Sequence, residues 1–167
     1  MMKSKIVLLV LCSLVLLVMP GLAFQNEPEG FRGLKWGDPP TEEMEYFMEL
    51  AGTDVYLLPN DKMALGNANL YMVAYSFYEN QFLEVGLHFK GEDNYNLLQT
   101  ICKERYGEDE MDEGFYEIGW YGQKGIVWLN YDYMEEKGYL TLADTILALK
   151  KTADEKEKEA EKAAGDF

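Results

Sequence analysis

Residues 70–78 and 82–90 form two runs rich in β-branched and aromatic side chains, only three residues apart, and nothing else in the chain restricts its fold as strongly. Alternation with a period of two places one apolar set on a single face of a strand pair. Tyr71, Val73, Tyr75 and Phe77 would face Leu83, Val85, Leu87 and Phe89 across a hairpin. A three-residue loop, Glu79-Asn80-Gln81, achieves this by pairing Phe77 with Leu83 and Tyr75 with Val85. A two-residue Glu79-Asn80 turn is set aside because it requires positive φ at Glu79 and slips the register by one, which inverts every side chain. On the expected register Ser76 faces Glu84, and His88 faces Met72.

The opposite face of that hairpin holds Leu70, Met72, Ala74, Phe82 and His88, together with Gly86. This set is too apolar for a fully wetted surface, so a helix or a partner should cover it. These residues are the candidate binding site, for a protein or a small ligand.

The flanking sequence supplies further elements. Residues 31–36 suit a short strand, after a flexible lead over 24–30. Asp38 is a plausible N-cap with Pro39 at the first helical position, and Met44, Phe47, Met48 and Ala51 follow at helical spacing up to Gly52. Residues 54–58 read as a strand and Pro59-Asn60-Asp61 as a turn. A helix over 93–106 ends at Gly107, and a second hairpin joins 115–121 to 126–132. Residues 139–142 add a strand, and a last helix starts near Ala143, anchored by Ile146, Leu147 and Leu149. From Lys150 onward the chain is charged residues, alanine and one threonine as far as Gly165, which predicts a solvated helical tail without a coiled-coil heptad. The expectation is an α+β fold: an antiparallel sheet built from hairpins, with two or three helices packed mainly on one face. Strand–helix order hints at a duplicated hairpin-plus-helix unit, without a residue-level repeat.

Residues 1–23 read as a secretory signal peptide: Lys3 and Lys5, an uncharged aliphatic stretch, Pro20-Gly21, and small residues at 21 and 23. The break at Pro20 comes too early for a membrane span. Cys12 has Leu11 before it where lipidation wants a small residue. The expected layout is therefore signal peptide 1–23, one domain over 24–149, and a charged tail over 150–167. Losing Lys3 and Lys5, and no acid, takes the net charge from −15 to −17. Such acidity opposes nucleic-acid binding and anionic membranes. No stable membrane insertion is expected after cleavage, and the destination is periplasmic or secreted.

Beyond residue 23 the chain has one histidine, His88, one serine, Ser76, and one cysteine, Cys102. That leaves no intramolecular disulfide and no multi-Cys/His zinc site. Ser76 and His88 are about 13 Å apart along the expected hairpin, which rules out a Ser-His-acid triad. Cys102 sits on the apolar face of its helix as a buried thiol, although Lys103 and Arg105 lie close in sequence. The acidic run at 108–113 lacks the spacing of a calcium loop and suits a surface connector. No cofactor and no bound metal are expected. Carboxylates are abundant enough for an acid-pair glycosidase, and Trp36, Trp120 and Trp128 with twelve tyrosines could line a sugar groove; at strand positions they suit a core.

The segments GFRGLKWG, DKMALGNANLYMVAYSFYENQFLEVGLHF, a helix ending in YGE and a tryptophan-bearing hairpin resemble a family of small exported bacterial proteins of unknown function. That resemblance covers residues 29–149 and implies no catalytic residue. More distantly, the layout is similar to small envelope lipoproteins that assist outer-membrane protein assembly, which carry a lipidated cysteine at their mature start. The leading expectation is an exported, non-catalytic binding or envelope-accessory protein. The alternatives are a carboxylate-dependent hydrolase of glycan or cell-wall material, and an inhibitor of a secreted enzyme.

Overall fold

In the computed structural model, which describes residues 24–111 and 117–165, the hairpin of β6 (Ala68–Tyr78) and β7 (Gln81–Lys90) forms the middle of a long antiparallel sheet. Its turn is the two-residue Glu79-Asn80, with φ of 49° and 63°. Tyr78 pairs with Gln81 and Phe77 with Phe82, not with Leu83 as expected. A bulge then inserts Leu83, so that Ser76 meets Glu84 and Tyr75 meets Val85. The tight turn matches the right-handed twist of the strands, and the extra residue restores the register that the apolar face requires.

A second bulge inserts Tyr71 between the Leu70–Phe89 and Met72–His88 pairs. Each bulge inverts side-chain parity beyond it. This corrects three assignments. Leu70 and Phe82 turn into the core, at 7% and 0% exposure, instead of joining Met72 on the other face. Tyr71, expected in the core, is exposed against His88 and Lys90.

The expected first helix is absent. Residues 45–50 instead form strand β3 (Glu45–Leu50), which turns at Ala51-Gly52 into β4 (Thr53–Leu57). Two local features explain the difference. Pro40 pushes Pro39 out of the helical region, so no first turn can start there. Ala51 and Gly52 both have positive φ, 48° and 73°, which makes Gly52 part of a hairpin turn instead of a helix stop. Asp38 accepts the backbone N–H of Lys35 at 2.9 Å. The backbone of Gly37 and Asp38 exchanges hydrogen bonds with Phe82 at 3.0 and 2.8 Å. Residues 31–36 divide into two short strands, β1 (Gly30–Phe31) and β2 (Leu34–Lys35), around Arg32-Gly33.

After the turn at Asp61, whose N–H bonds Leu58 O at 3.1 Å, β5 (Ala64–Leu65) pairs with the start of β6. Helix α1 (Glu92–Tyr106) follows β7 and closes with the Gly107 N–H on Lys103 O at 2.9 Å. Strands β8 (Glu110–Met111), β9 (Glu117–Tyr121), β10 (Gly125–Asp132) and β11 (Lys137–Asp144) then make a second meander, followed by α2 (Thr145–Gly165). The sheet order is β3-β4-β6-β7-β11-β10-β9-β8. Two four-stranded meanders, each followed by a helix, thus join antiparallel along β7 and β11, with Leu87 opposite Leu140. The fold is α+β, with two helices among the described residues.

One sheet face carries the core, where α1 contributes Tyr95, Leu98, Cys102 and Tyr106. Trp120 lies fully inside and donates its indole N–H to Gly107 O at 2.9 Å, as a buried tryptophan needs. At the seam Gly138 is obligatory: a Cβ there would stand 2.4 Å from the Phe89 ring, which stacks on Tyr131. The lead over 24–30 is tied down, not loose. Phe24 packs edge-on against Tyr106 with centroids 5.3 Å apart, and the Gln25 N–H bonds Tyr106 O at 2.9 Å. Glu27 accepts the N–H groups of Lys124 and Gly125 at 2.6 and 3.1 Å.

Helix α2 begins at Thr145, capped by Asp144, whose carboxylate accepts the Leu147 N–H at 2.6 Å. Its inner stripe is Leu147, Ala148, Lys151 and Asp154, while Ile146 and Leu149, expected as anchors, are each 66% exposed. It contacts Tyr78, Glu79 and Glu84, near the tip of the β6–β7 hairpin, and Thr145 at its start bonds Gly122 O and Lys124 O in the β9–β10 turn. Residues 156–164 are all exposed. The expected signal segment, 1–23, and Asp112, Glu113 and Phe115 lie outside the described residues. Among those described, no helix is long and apolar enough to cross a membrane.

Candidate functional site

The sheet face opposite the core holds a half-open concavity of about 290 Å³. Its floor is Met72, Ala74, Gly86 and His88 from the central hairpin, with Val55, Ser76 and Glu84 at one end. Phe47, Met48 and Leu50 of β3 form one wall, and Tyr139 and Thr141 of β11 the other. Of the five residues expected at the binding face, the structure brings Met72, Ala74 and His88 together here. Leu70 and Phe82 are separated from them by the two bulges and pack in the core, Phe82 against Trp36 with ring centroids 4.7 Å apart. Trp36, half-buried, also donates its indole N–H to Pro28 O at 2.7 Å.

Polar groups punctuate the apolar lining: Ser76, Glu84 and His88 on the hairpin, and the hydroxyl-bearing Tyr139 and Thr141 on β11. His88 lies between the rings of Tyr71 and Tyr139, at 6.0 and 6.2 Å, and over Gly86, where a Cβ would stand 3.3 Å from Nε2. Burial lowers the His88 pKa, which keeps the imidazole neutral at pH 7. Burial pushes the Glu84 carboxyl above its ordinary value, against the opposing pull of the Ser76 hydroxyl and the Lys151 ammonium. Ser76 is buried, and its hydroxyl is engaged by Glu84 on the neighbouring strand, not by His88. Glu84 and His88 stand four residues apart along one strand, about 13 Å. The arrangement suits an apolar ligand met by isolated polar groups, not a proton relay.

The sequence reading misses the β3 wall because Met44, Phe47, Met48 and Ala51 fit helical spacing, and the bulge at Phe47 hides the strand alternation by putting Tyr46, Phe47 and Met48 in one apolar run. The signal available was Ala51-Gly52 as a turn. It also missed the clamp under the GFRG motif: Arg32 pairs with Asp61 and donates to Ala64 O at 2.8 Å, while Tyr75 donates to Asp61 at 2.7 Å. Asp61 is buried, so this charge is compensated by both an ion pair and a hydrogen bond. The clamp fixes the β1–β2 hairpin to β6 and is structural. Cys102 is fully buried, with its thiol pushed up to about 12 by desolvation, which Arg105 only partly offsets. In the acidic run, Asp109 is buried beside Lys103 at 3.4 Å instead of lying in solvent. Compared with protein families, with characterised proteins and with solved structures, the chain matches none.

Proposed function

We propose that this is an exported, non-catalytic binding protein, periplasmic or secreted, whose binding face is the sheet surface opposite the core. The observation that carries the reading is the half-open concavity walled by Phe47, Met48 and Leu50, with Met72 and Ala74 on its floor. Apolar pockets with a few isolated polar groups are where ligands bind. Glu84 is the one carboxylate among the lining residues, whereas carboxylate-pair hydrolysis needs two within about 5–10 Å. The lining therefore gives the hydrolase alternative no support. Export rests on the basic and aliphatic character of residues 1–23 and on the acidity of the remainder.

The test is a saturable titration with an apolar, environment-sensitive fluorophore. One equivalent should bind, and the concavity-filling variants Ala74→Leu and Thr141→Leu should each weaken binding at least tenfold while unfolding at near-native urea. Undiminished binding to both filled variants would sink the reading. Export is tested separately: the secreted chain should begin at Phe24, and a cell-retained product still carrying residues 1–23 would overturn it.

A further inference from the structure

Strand β3 ends the sheet, pairing with β4 on one side only, and every one of its six residues is exposed. Tyr46, Phe47, Met48 and Leu50 are each between 40% and 58% exposed. A long apolar edge strand is a template for another chain, and proteins normally shorten, cover or charge such edges. This one is charged with a single sign. Glu42, Glu43, Glu45, Glu49 and Asp54 are all exposed, and among the described residues none enters an ion pair. Glu49 and Asp54 are also directly opposite each other across β3 and β4, a like-charge pairing that destabilises a hairpin unless something positive intervenes. A second copy of this chain cannot supply that: pairing β3 with itself would crowd the carboxylates of two copies together.

We propose that the free edge of β3 receives an extended basic segment of another polypeptide, alternating apolar residues with Lys or Arg, as an added strand. Backbone hydrogen bonds to Met48–Leu50 give it affinity. Its apolar residues extend the wall that Met48 and Leu50 already form, and its cations, on the other face of the added strand, sit against Glu49 and Asp54, which are paired across β3 and β4. The bulge at Phe47 interrupts the ladder, so the pairing is short and its affinity depends on charge. The inference rests on the reading of that sheet face as the binding face, and names its occupant.

Three labelled octapeptides test it: alternating Lys and Val, alternating Glu and Val, and the Lys–Val peptide N-methylated at its central residues. The Lys–Val peptide should bind, slow amide exchange in residues 45–50, and lose at least tenfold affinity between 20 and 200 mM salt. Glu49→Lys with Asp54→Lys should weaken it tenfold or more, and so should N-methylation, which keeps the charge and removes the strand donors. Equal binding of the Glu–Val or the N-methylated peptide, or absence of protection in β3, overturns the proposal. So does a salt-stable dimer in sedimentation that protects the same amides. Fluorophore binding is measured in parallel on the wild-type protein. If the fluorophore binds while the Lys–Val peptide does not, only the edge proposal falls; if neither binds, the binding-face reading falls as well.

Discussion

The two meanders that meet at β7 and β11 have the same strand count and are each followed by a helix, yet they end differently. The second finishes in β8, two residues long, and its face opposite the core is partly covered by its own contacts: Trp128 packs edge-on against Tyr139 at 5.6 Å, and Asn130 donates to Glu117 at 3.1 Å. The first finishes in the six-residue β3 and leaves its half of that face open. The helices diverge as well. Helix α1 buries its apolar stripe in the core, whereas α2 leans on the hairpin tip through polar partners and leaves Ile146 and Leu149 in water. A shared architecture thus ends in two ways: one half covers more of its own surface, and the other leaves apolar and acidic side chains exposed along its edge strand.

The largest expected effects lie on the core side of that comparison. Leu98→Ala, in α1, should destabilise by about 3–5 kcal/mol, since Leu98 is completely buried. Leu149→Ala, its counterpart in α2, should change stability by less than about 0.5 kcal/mol. Equal urea midpoints for the pair would erase the distinction between the helices. Trp36→Ala should lose about 3 kcal/mol, at the lower end for an aromatic truncation because the ring is half-buried. Gly138→Ala should destabilise by about 1–3 kcal/mol, because its Cβ would meet both the Asn130 carbonyl oxygen and the Phe89 ring; a neutral result would mean that β10 and the ring shift to make room.

A smaller effect lies in the open face. The folded-state pKa of Glu84 is raised, so between its ordinary and its folded value the native state holds more protons than the unfolded chain, and stability falls as pH rises. Glu84→Gln keeps an acceptor for Ser76 and removes that loss. Its urea midpoint should exceed wild type at pH 7.5 and approach it at pH 4. For His88 the sign reverses: burial depresses its pKa, so stability falls as pH drops through the ordinary histidine value, and His88→Gln should flatten that slope. Smallest of all, Cys102 should resist alkylation in the folded protein at pH 8 and react fully in urea.

Much of this was legible in residue periodicity. The central hairpin, the Ser76–Glu84 and Met72–His88 pairs, α1 with its Gly107 stop, and the hairpin around Gly122 all follow from alternation and turn chemistry. What eluded it has two physical causes. Bulges at Tyr71 and Leu83 are insertions whose benefit comes from core packing, not from local preference, so Leu70 and Phe82 changed face without any local mark. Two-residue turns at Arg32-Gly33, Ala51-Gly52 and Glu79-Asn80 place ordinary side chains at positive φ, a cost of about 1–2 kcal/mol each that tertiary contacts overcome. The β3 wall of the candidate site was hidden by the same effect.

The β7–β11 seam has a kinetic consequence. Strand β7 ends at Lys90, and its partner begins at Lys137, so the middle of the sheet stays unfilled until the last strand is available. Before then β7 presents a bare edge, and closing so long a loop makes folding slow. For a chain exported as proposed, that delay favours threading through a translocation channel as an unfolded polymer, with folding completed only once the C-terminal strand has arrived on the far side.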